Sequence, residues 1–442
     1  MEQVWFDELS ELIRIPSVSA DSARAGDVLA AATWVRDFVR KAGGEAELVE
    51  TGAAAPLVIG EIRASSGAAD APTVLLYGHF DVQPPAPLDL WDSPPFELTV
   101  SGEWLVARGV ADDKGQLWCM LKAAQLLAES GDLPVNLRVC SDGEEEIGGH
   151  SIVDFLADDE RGADAAVIFD SGMTKRGIPE FSIATRGLVY FHVRVHTGER
   201  DLHSGLYGGA ALNATHALMQ TLAGVVPRDG RLPEPLRAGV AEPTEQELAD
   251  WATLVPGVDL LIDQGARPSD PEAARDFYIR TWAEPAVDVN GVKGGSPQLQ
   301  KTVLPVLAEA NLSIRLAPGQ DPDVIAPEVE RLLREAAPPV AVVEVERWSD
   351  ARPGLIPADA PAVRIAQDSF EEVFGVRPLL VRSGGTLPIV PALSDKGIPT
   401  IITGIALIES NVHSPNERVL LDYMPKGVDA ARACFRAFAA LR

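Results

Sequence analysis

The stretch YGHFDVQP at residues 77–84 places His79 and Asp81 directly after the apolar run of residues 73–76. Such a run predicts a strand that is buried on both faces, as in a parallel sheet. A histidine at the end of such a strand is often an ordinary polar residue of a turn. An imidazole and a carboxylate presented together can instead form half of a metal site. The rest of the chain decides between these two interpretations.

Similar apolar runs recur along the chain and alternate with segments of helical periodicity. Unbroken apolar strands that alternate with helices are typical of a mainly parallel sheet covered by helices on both faces. The sequence therefore predicts an α/β fold. The predicted strands are 58–59, 73–77, 135–140, 165–169 and 400–403, and the predicted helices are 4–14, 26–42, 116–128 and 151–156.

The middle of the 442-residue chain differs from its ends, and this length favours two domains. Residues 188–195 alternate between apolar and polar positions, as in a strand with one buried face. Helices predicted at 210–222 and 322–335 and strands at 310–316 and 340–345 indicate an inserted α+β domain. We expect the region 225–290 to carry substrate selectivity. The predicted division is a catalytic domain at 1–186 and 352–442, interrupted by a lid and dimerisation domain at 187–351.

Composition excludes several classes of function. The formal net charge of -27 opposes binding to nucleic acid, and no apolar run approaches the length of a membrane span. The three cysteines are far apart, without a CxxC motif, which fits a reducing compartment. The predicted first helix is acidic and amphipathic and lacks the features of a secretion signal. We therefore expect a cytoplasmic protein.

Histidines and carboxylates follow the predicted strands at the ends where α/β sheets bind ligands. Each has an ordinary explanation alone, since a glutamate run can be solvated and an aspartate pair can cap a helix. Their joint position at one edge favours a metal site. They are His79 and Asp81 after 73–77, Asp112 and Asp113 after 104–108, Glu144, Glu145 and Glu146 after 135–140, Asp170 after 165–169, and His413 after 400–403.

This set of side chains offers nitrogen and oxygen ligands but no thiolate, which suits zinc, manganese or cobalt. Two histidines and several carboxylates divide naturally between two metal ions. Each ion would take one histidine and one terminal carboxylate, and an aspartate would bridge them. One of the adjacent Glu145 and Glu146 would be left as a general base. Asp81 is placed to hold the second nitrogen of His79 and fix its tautomer.

These residues lie in motifs that resemble the M20 family of metallopeptidases, in particular its cytosolic nonspecific dipeptidase and carnosinase-like branch. The resemblance implies a zinc-exopeptidase-like fold with an inserted lid domain. The matching stretches occur in family order over most of the chain. They are YGHFDVQP at 77–84, WDSPPF at 91–96, RGVADDKG at 108–115, EEEIGG at 144–149, DLHSGLYGG at 201–209, KTVLP at 301–305, SIRLAP at 313–318, SGGTLPI at 383–389 and HSPNE at 413–417.

The resemblance also implies a role for each residue of the edge. Glu145 would take a proton from a metal-bridging water and pass it to the leaving amine. A third glutamate, Glu144, leaves the register of the glutamate pair open; Gly148, two residues after Glu146, favours Glu145 and Glu146. A cis peptide is expected between Asp112 and Asp113. The implied ligands are His79 and Asp170 for one metal and Glu146 and His413 for the other, with Asp112 as the bridge.

Further roles follow from the motifs outside this edge. His203 matches a histidine that reaches the active site of the other subunit and stabilises the oxyanion, so a homodimer is expected. Arg315 matches a clamp for the C-terminal carboxylate of the substrate. Thr302 and the turn with Gly385 and Thr386 match further substrate contacts.

The sequence thus predicts a two-metal hydrolase of dipeptides or short peptides with a free C-terminal carboxylate. Zinc is favoured, with manganese or cobalt as alternatives. A deacylase of N-acyl amino acids would use the same machinery, and a non-catalytic metal-binding or peptide-binding scaffold is the alternative from another class. Nucleotide binding is disfavoured because the chain has neither GxGxxG nor a Walker-type loop.

Overall fold

The computed structural model describes residues 1–52 and 55–441. The helices are α1 Gln3–Ile13, α2 Ala25–Lys41, α3 Lys114–Ser130, α4 Ser151–Asp158, α5 Ser204–Tyr207, α6 Ala214–Leu222, α7 Glu245–Trp251, α8 Gly257–Asp263, α9 Pro322–Ala336, α10 Pro361–Phe374, α11 Ile389–Asp395 and α12 Tyr423–Ala437. The strands are β1 Glu45–Val49, β2 Leu57–Ile62, β3 Thr73–His79, β4 Thr99–Ser101, β5 Trp104–Val106, β6 Asn136–Asp142, β7 Ala165–Phe169, β8 Gly172–Met173, β9 Glu180–Thr185, β10 Gly187–His196, β11 Leu202–His203, β12 Ala286–Gly294, β13 Val303–Leu304, β14 Leu307–Leu316, β15 Val342–Ala351, β16 Gly354–Leu355, β17 Leu379–Ser383, β18 Thr400–Thr403, β19 Ala406–Leu407 and β20 Arg418–Leu420.

The large sheet has the strand order β1-β2-β6-β3-β7-β18-β9-β16, with β17 also paired to β9. Its centre is parallel, because β3 pairs in parallel with β6 and β7, and β18 pairs in parallel with β7. Antiparallel pairs occur towards both sides, at β2 with β6 and at β18 with β9. All residues of β6 and β7 are buried, as the unbroken apolar runs require. The predicted α/β fold is confirmed.

One predicted element of this sheet is wrong. The segment 104–108 was expected to end at the same edge as the other strands, but β5 belongs to a separate sheet with β4 and β20. All pairs of this small sheet are antiparallel. The loop that carries Asp112 therefore leaves an antiparallel hairpin rather than a central strand, and reaches the edge because α3 starts there.

The inserted region forms a four-stranded antiparallel sheet in the order β12-β14-β10-β15. One face of β10 is buried, and its apolar side chains form a core with α6 and α9 that is separate from the core of the large sheet. The chain passes between the two sheets after β9 and again before β16. The predicted boundaries at 186/187 and 351/352 fall at these passages, and the division into domains stays a prediction.

Most predicted helices and strands are confirmed within a few residues. The helix expected at 210–222 begins later, at Ala214, because the Asn213 side chain accepts hydrogen bonds from the backbone N–H groups of Thr215 and His216. The strand expected at 340–345 is longer and spans Val342–Ala351. The region 225–290, which had no predicted element, contains α7, α8 and a short π-helix at Ile279–Ala283.

Candidate metal centre

The predicted residues meet at the carboxyl edge of the large sheet. His79 is the last residue of β3, Asp170 follows β7, and Glu146 lies in the short 3-10 helix after β6. Asp112 lies two residues before α3. His413 lies in the turn between β19 and β20 and has a positive φ of 62°, a conformation that is uncommon for residues other than glycine.

Two groups of potential metal ligands share Asp112. The first consists of His79, Asp112 and Asp170, and the second of Asp112, Glu146 and His413. Asp112 directs Oδ1 to His79 Nε2 at 3.0 Å and Oδ2 to His413 Nε2 at 2.9 Å. Each oxygen of one carboxylate thus faces a different imidazole.

Asp170 completes the first group and Glu146 completes the second. His79 Nε2 lies 3.8 Å from Asp170 Oδ1, and His413 Nε2 lies 3.1 Å from Glu146 Oε2. Two ligands that share a tetrahedral zinc ion at about 2.1 Å stand roughly 3.3 Å apart. The observed separations therefore fit a divalent cation in each group.

The electrostatics of the edge fit the same interpretation. Hydrogen bonds that His413 donates to the carboxylates of Asp112 and Glu146 raise its pKa to about 10. The pKa of His79 is also well above its usual range despite burial, because carboxylates surround it. Divalent cations would offset this excess of negative charge and would bind the neutral imidazoles.

Asp81 is fully buried and holds both ligand groups in place. Its Oδ1 accepts from His79 Nδ1 at 3.2 Å, which leaves Nε2 directed at Asp112. Its Oδ2 accepts from the backbone N–H of Glu146 at 3.2 Å. One carboxylate therefore orients the histidine of the first group and the backbone of the second.

The three successive glutamates have different positions. Glu144 is buried and accepts from the backbone N–H of Ser151 at 2.9 Å, so it faces the start of α4. Glu146 points to His413 and is held by Gln83, whose backbone N–H and side-chain amide both donate to its carboxylate. Glu145 belongs to neither ligand group. The run is therefore not a solvated surface, and the predicted register places Glu146 at the ligands.

The charges of the neighbouring candidate ligands affect the pKa of Glu145. Burial is the main cause that raises its pKa to about 8, and Asp170 and Asp112 add to the increase while His79 opposes it. Among the described residues, no group donates a hydrogen bond to its carboxylate. A bound cation would lower this pKa, and the carboxylate would then be free to accept a proton.

The aspartate pair before α3 does not cap that helix. Asp113 precedes α3, but its side chain makes no capping hydrogen bond; Oδ2 accepts from the backbone N–H of His79 at 3.2 Å instead. A Cβ atom on Gly78 would lie 2.7 Å from this oxygen, so the glycine permits the approach. The expected cis peptide between Asp112 and Asp113 is confirmed.

Glu417 is a positioning residue that the sequence did not reveal, although it closes the HSPNE motif. It is fully buried and accepts from the backbone N–H groups of Ala111 and Asp112 at 2.8 and 3.0 Å. Its other oxygen accepts from Gly109 and from Arg108 Nη1. The turn that carries His413 thereby fixes the loop that carries Asp112.

Arg186 and Arg315 lie close together where the inserted sheet meets the large one, and they form a cationic cluster. Arg315 Nη1 donates to the Thr386 hydroxyl at 2.9 Å, and that hydroxyl donates to the Arg186 carbonyl at 2.7 Å. The Arg186 backbone N–H donates to the Gly385 carbonyl at 3.0 Å. Burial and the charge of Arg315 lower the pKa of Arg186 to about 10, which a bound anion would reverse. Arg186 was not predicted, because its signal is only a charge at the end of β9.

The remaining two predicted residues lie elsewhere. His203 is exposed and faces Val303 across the β11–β13 ladder, next to Thr302, whose carbonyl accepts from the Ser204 backbone N–H. Its Nδ1 accepts from the Gly205 backbone N–H at 3.0 Å. Within the described part of the chain, no hydrogen bond or ion pair joins His203 or Thr302 to the metal-ligand groups.

An α/β sheet whose carboxyl edge gathers two nitrogen and oxygen ligand groups around a shared aspartate is the arrangement of a metal-dependent hydrolase. The model of the peptidase family M20/M25/M40 matches residues 75–437, and the chain belongs to this family. It is a metal-dependent peptidase.

Relatives and solved structures agree with this assignment. The chain is 30% identical to the cysteinylglycine-S-conjugate dipeptidase of Corynebacterium striatum, with 94% of this chain and 91% of that protein covered. It is 30% identical to the Cys-Gly metallodipeptidase dug1 of Schizosaccharomyces pombe, with 95% and 92% covered. The M20 family metallo-carboxypeptidase Sso-CP2 from Sulfolobus solfataricus has a TM-score of 0.86 at 25% identity, with 99% of this chain and 100% of that chain covered. Among the described residues, no helix has the length and apolarity to cross a membrane.

Proposed function

We propose that the chain is a two-metal peptidase that cleaves the amide bond of dipeptides or short peptides with a free C-terminal carboxylate. The observation that carries the proposal is Asp112, which directs one carboxylate oxygen to each of two histidines in two ligand groups. His79 and Asp170 would hold one ion and Glu146 and His413 the other. Zinc is the favoured ion, with manganese or cobalt as alternatives.

When bound, the ions would polarise the scissile carbonyl and increase the acidity of the attacking water. Glu145 acts as the general base, takes a proton from that water and gives it to the leaving amine. The hydrogen bond from His79 to Asp81 keeps Nε2 free as a ligand atom.

The cationic cluster of Arg186 and Arg315 would bind the C-terminal carboxylate of the substrate. Arg315 supplies a planar guanidinium that donates to the Thr386 hydroxyl, and Arg186 adds a second positive charge. Thr386 and Gly385 hold the backbone of Arg186, and the Gly384 carbonyl accepts from its Nε. The names of the relatives, which refer to Cys-Gly and S-conjugated dipeptides, support dipeptides as the substrate class.

His203 would act in the site of the neighbouring subunit of a homodimer, where its imidazole stabilises the oxyanion. Thr302 would contact the substrate there as well. The exposure of His203 and its lack of contact with the ligand groups of its own chain support this assignment. The three cysteines are unpaired and buried, which supports a location in the reducing cytoplasm.

The test is metal removal followed by activity measurement. Chelator-stripped protein is assayed with zinc, manganese or cobalt on free dipeptides and on N-acyl amino acids. We expect metal-restored cleavage of the dipeptides and about two ions per subunit by mass spectrometry. Cleavage of only the acylated compounds would make the enzyme a deacylase, and two bound ions without any cleavage would favour a binding scaffold.

Single-residue variants test which side chains hold each ion. His413→Ala should remove one ion and Asp112→Asn should weaken both, because Asp112 belongs to both groups. His216→Ala, an exposed histidine outside the site, is the matched control and should retain both ions. Equal metal content in all three variants would contradict the ligand assignment.

A further inference from the structure

A cavity of about 320 Å³ extends from the metal-ligand groups along the edge of the large sheet. It begins at Asp112 and Asp170 and includes Glu180 on the side of β9. Arg315 and Thr386 do not line the cavity, but Gly384 does, and its carbonyl accepts from Arg186 Nε at 3.2 Å. The cavity therefore adjoins the arginines that are proposed to bind the substrate carboxylate. Its apolar walls are formed by Met173, Trp282, Val381, Leu407, Ile408 and Val412.

Glu180 is an unusual residue for such a wall. Its side chain is buried, with 4% exposure, and its Oε1 accepts from the backbone N–H and the hydroxyl of Thr174. Among the described residues, no cation pairs with it. Arg382 lines the same cavity, but its guanidinium is bonded to Glu247 at 2.6 Å.

The negative charge of a carboxylate in this environment is not offset by a positive charge on any neighbouring residue that the structure describes. Burial raises the pKa of Glu180 to about 7, although Thr174 opposes the increase. A buried charge without a partner costs free energy, and a cation that enters the cavity would offset that cost. The cavity therefore favours a ligand with an apolar stem and a positive end.

The sheet register gives the distance between Asp170, at the metal-ligand groups, and Glu180. Thr403 of β18 pairs with Phe169 of β7, and Ile402 of β18 pairs with Ser182 of β9. Asp170 and Glu180 therefore stand at the same edge, two strand spacings or roughly 10 Å apart. The α-ammonium nitrogen of a dipeptide lies only about 2.5 Å from the scissile carbonyl carbon. A lysine side chain, with its four-carbon stem, extends about 6 Å from its Cα and therefore reaches further towards Glu180 than the α-ammonium group does.

We propose that Glu180 makes the enzyme selective for substrates with a positively charged side chain on the residue that supplies the scissile carbonyl. The proposal rests on the proposed function, because Arg315 must hold the opposite end of the substrate. Trp282 comes from the region 225–290 and offers an aromatic wall on which the stem or the cation of a lysyl or arginyl residue can lie. Glu180 is then a specificity residue of the acyl-side subsite.

The experiment compares kcat/KM for lysyl-glycine and norleucyl-glycine, two substrates that differ chiefly in the terminal ammonium group. We expect the zinc-loaded wild-type enzyme to prefer the lysyl substrate by roughly tenfold or more. Glu180→Gln should reduce this ratio to about one. The amide oxygen of glutamine can still accept from Thr174, so the variant retains the local structure.

Glu409→Gln is the matched control, since it removes the same charge one residue after Ile408 but does not line the cavity. It should retain the preference for lysine. A loss that is equal for both substrates in Glu180→Gln would indicate a structural role or a contact with the α-ammonium, and would overturn the proposal. Metal-dependent cleavage without any lysyl preference in the wild type would also overturn it while the proposed function stands. If the enzyme cleaved no dipeptide at all, the proposed function itself would be contradicted.

Discussion

Glu145 lies among the metal-ligand groups without belonging to either. We predict that Glu145→Gln lowers kcat by about 10²–10⁴, the usual contribution of a general base, because the reaction would lose its proton acceptor. Metal content should remain at the wild-type value. Glu144→Gln is the control, because Glu144 only accepts from Ser151 and glutamine can do the same. A near-normal kcat in Glu145→Gln would reject the assignment of the base.

The buried Glu180 should also make the stability of the folded protein depend on pH. Its pKa is raised from 4.5 to about 7, so the folded protein binds this proton more tightly than the unfolded chain and loses stability as pH rises through this range. Between pH 5 and 8 the loss amounts to roughly 2 to 3 kcal/mol. Tyr278, the titratable neighbour, stays neutral at these pH values because burial raises its pKa to about 12.

Glu180→Gln has no such titration. Its melting temperature relative to the wild type should therefore be higher at pH 8 than at pH 5, measured by calorimetry in the absence of substrate. An equal difference in melting temperature at the two pH values would mean that ionisation of Glu180 does not destabilise the folded protein.

At the scale of elements, Glu417 joins the loop of Asp112 to the turn of His413. Glu417→Gln leaves Arg108 buried without its charge partner, which should cost roughly 3 kcal/mol of stability. Metal affinity should fall by about 10- to 100-fold, as for other groups that orient ligands. Both effects can be measured by calorimetry and metal titration. Glu328→Gln breaks an exposed ion pair with Arg331 and should change neither; similar behaviour of the two variants would contradict the role of Glu417.

The sequence predicts some elements better than others for a physical reason. β3, β6 and β7 are buried on both faces, so their apolar runs identify them, and the candidate ligands follow at their ends. β9 is equally buried but includes Glu180, Ser182 and Thr185, so no apolar run identifies it. β5 was assigned to the wrong sheet because a strand of three residues carries no signal for its partner.

At the scale of the whole molecule, the candidate ligands can be located from the sequence because each lies in a short motif. The residues that support them form pairs that are distant in sequence. Arg108 and Glu417 are 309 residues apart, and Arg382 and Glu247 are 135 apart. Such pairs depend on how the two parts of the chain come together, which local pattern does not encode. The cavity beside Glu180 was missed for the same reason, since Trp282 and β9 meet only in the folded chain.

The proposed homodimer gives the last prediction, because each active site would contain residues of two subunits. Glu145→Gln and His203→Ala should each be poorly active alone. In a hybrid dimer, the subunit with His203→Ala retains Glu145 and receives an intact His203 of the partner subunit, so one site works. Random exchange should therefore restore up to about a quarter of wild-type activity. Glu145→Gln mixed with Asp112→Asn should restore none, because each of these residues acts in the site of its own subunit and every site would then carry one of the two substitutions. Hybrid dimers, detected by labelled subunits, that remain inactive in the first mixture would show that His203 does not act across the interface.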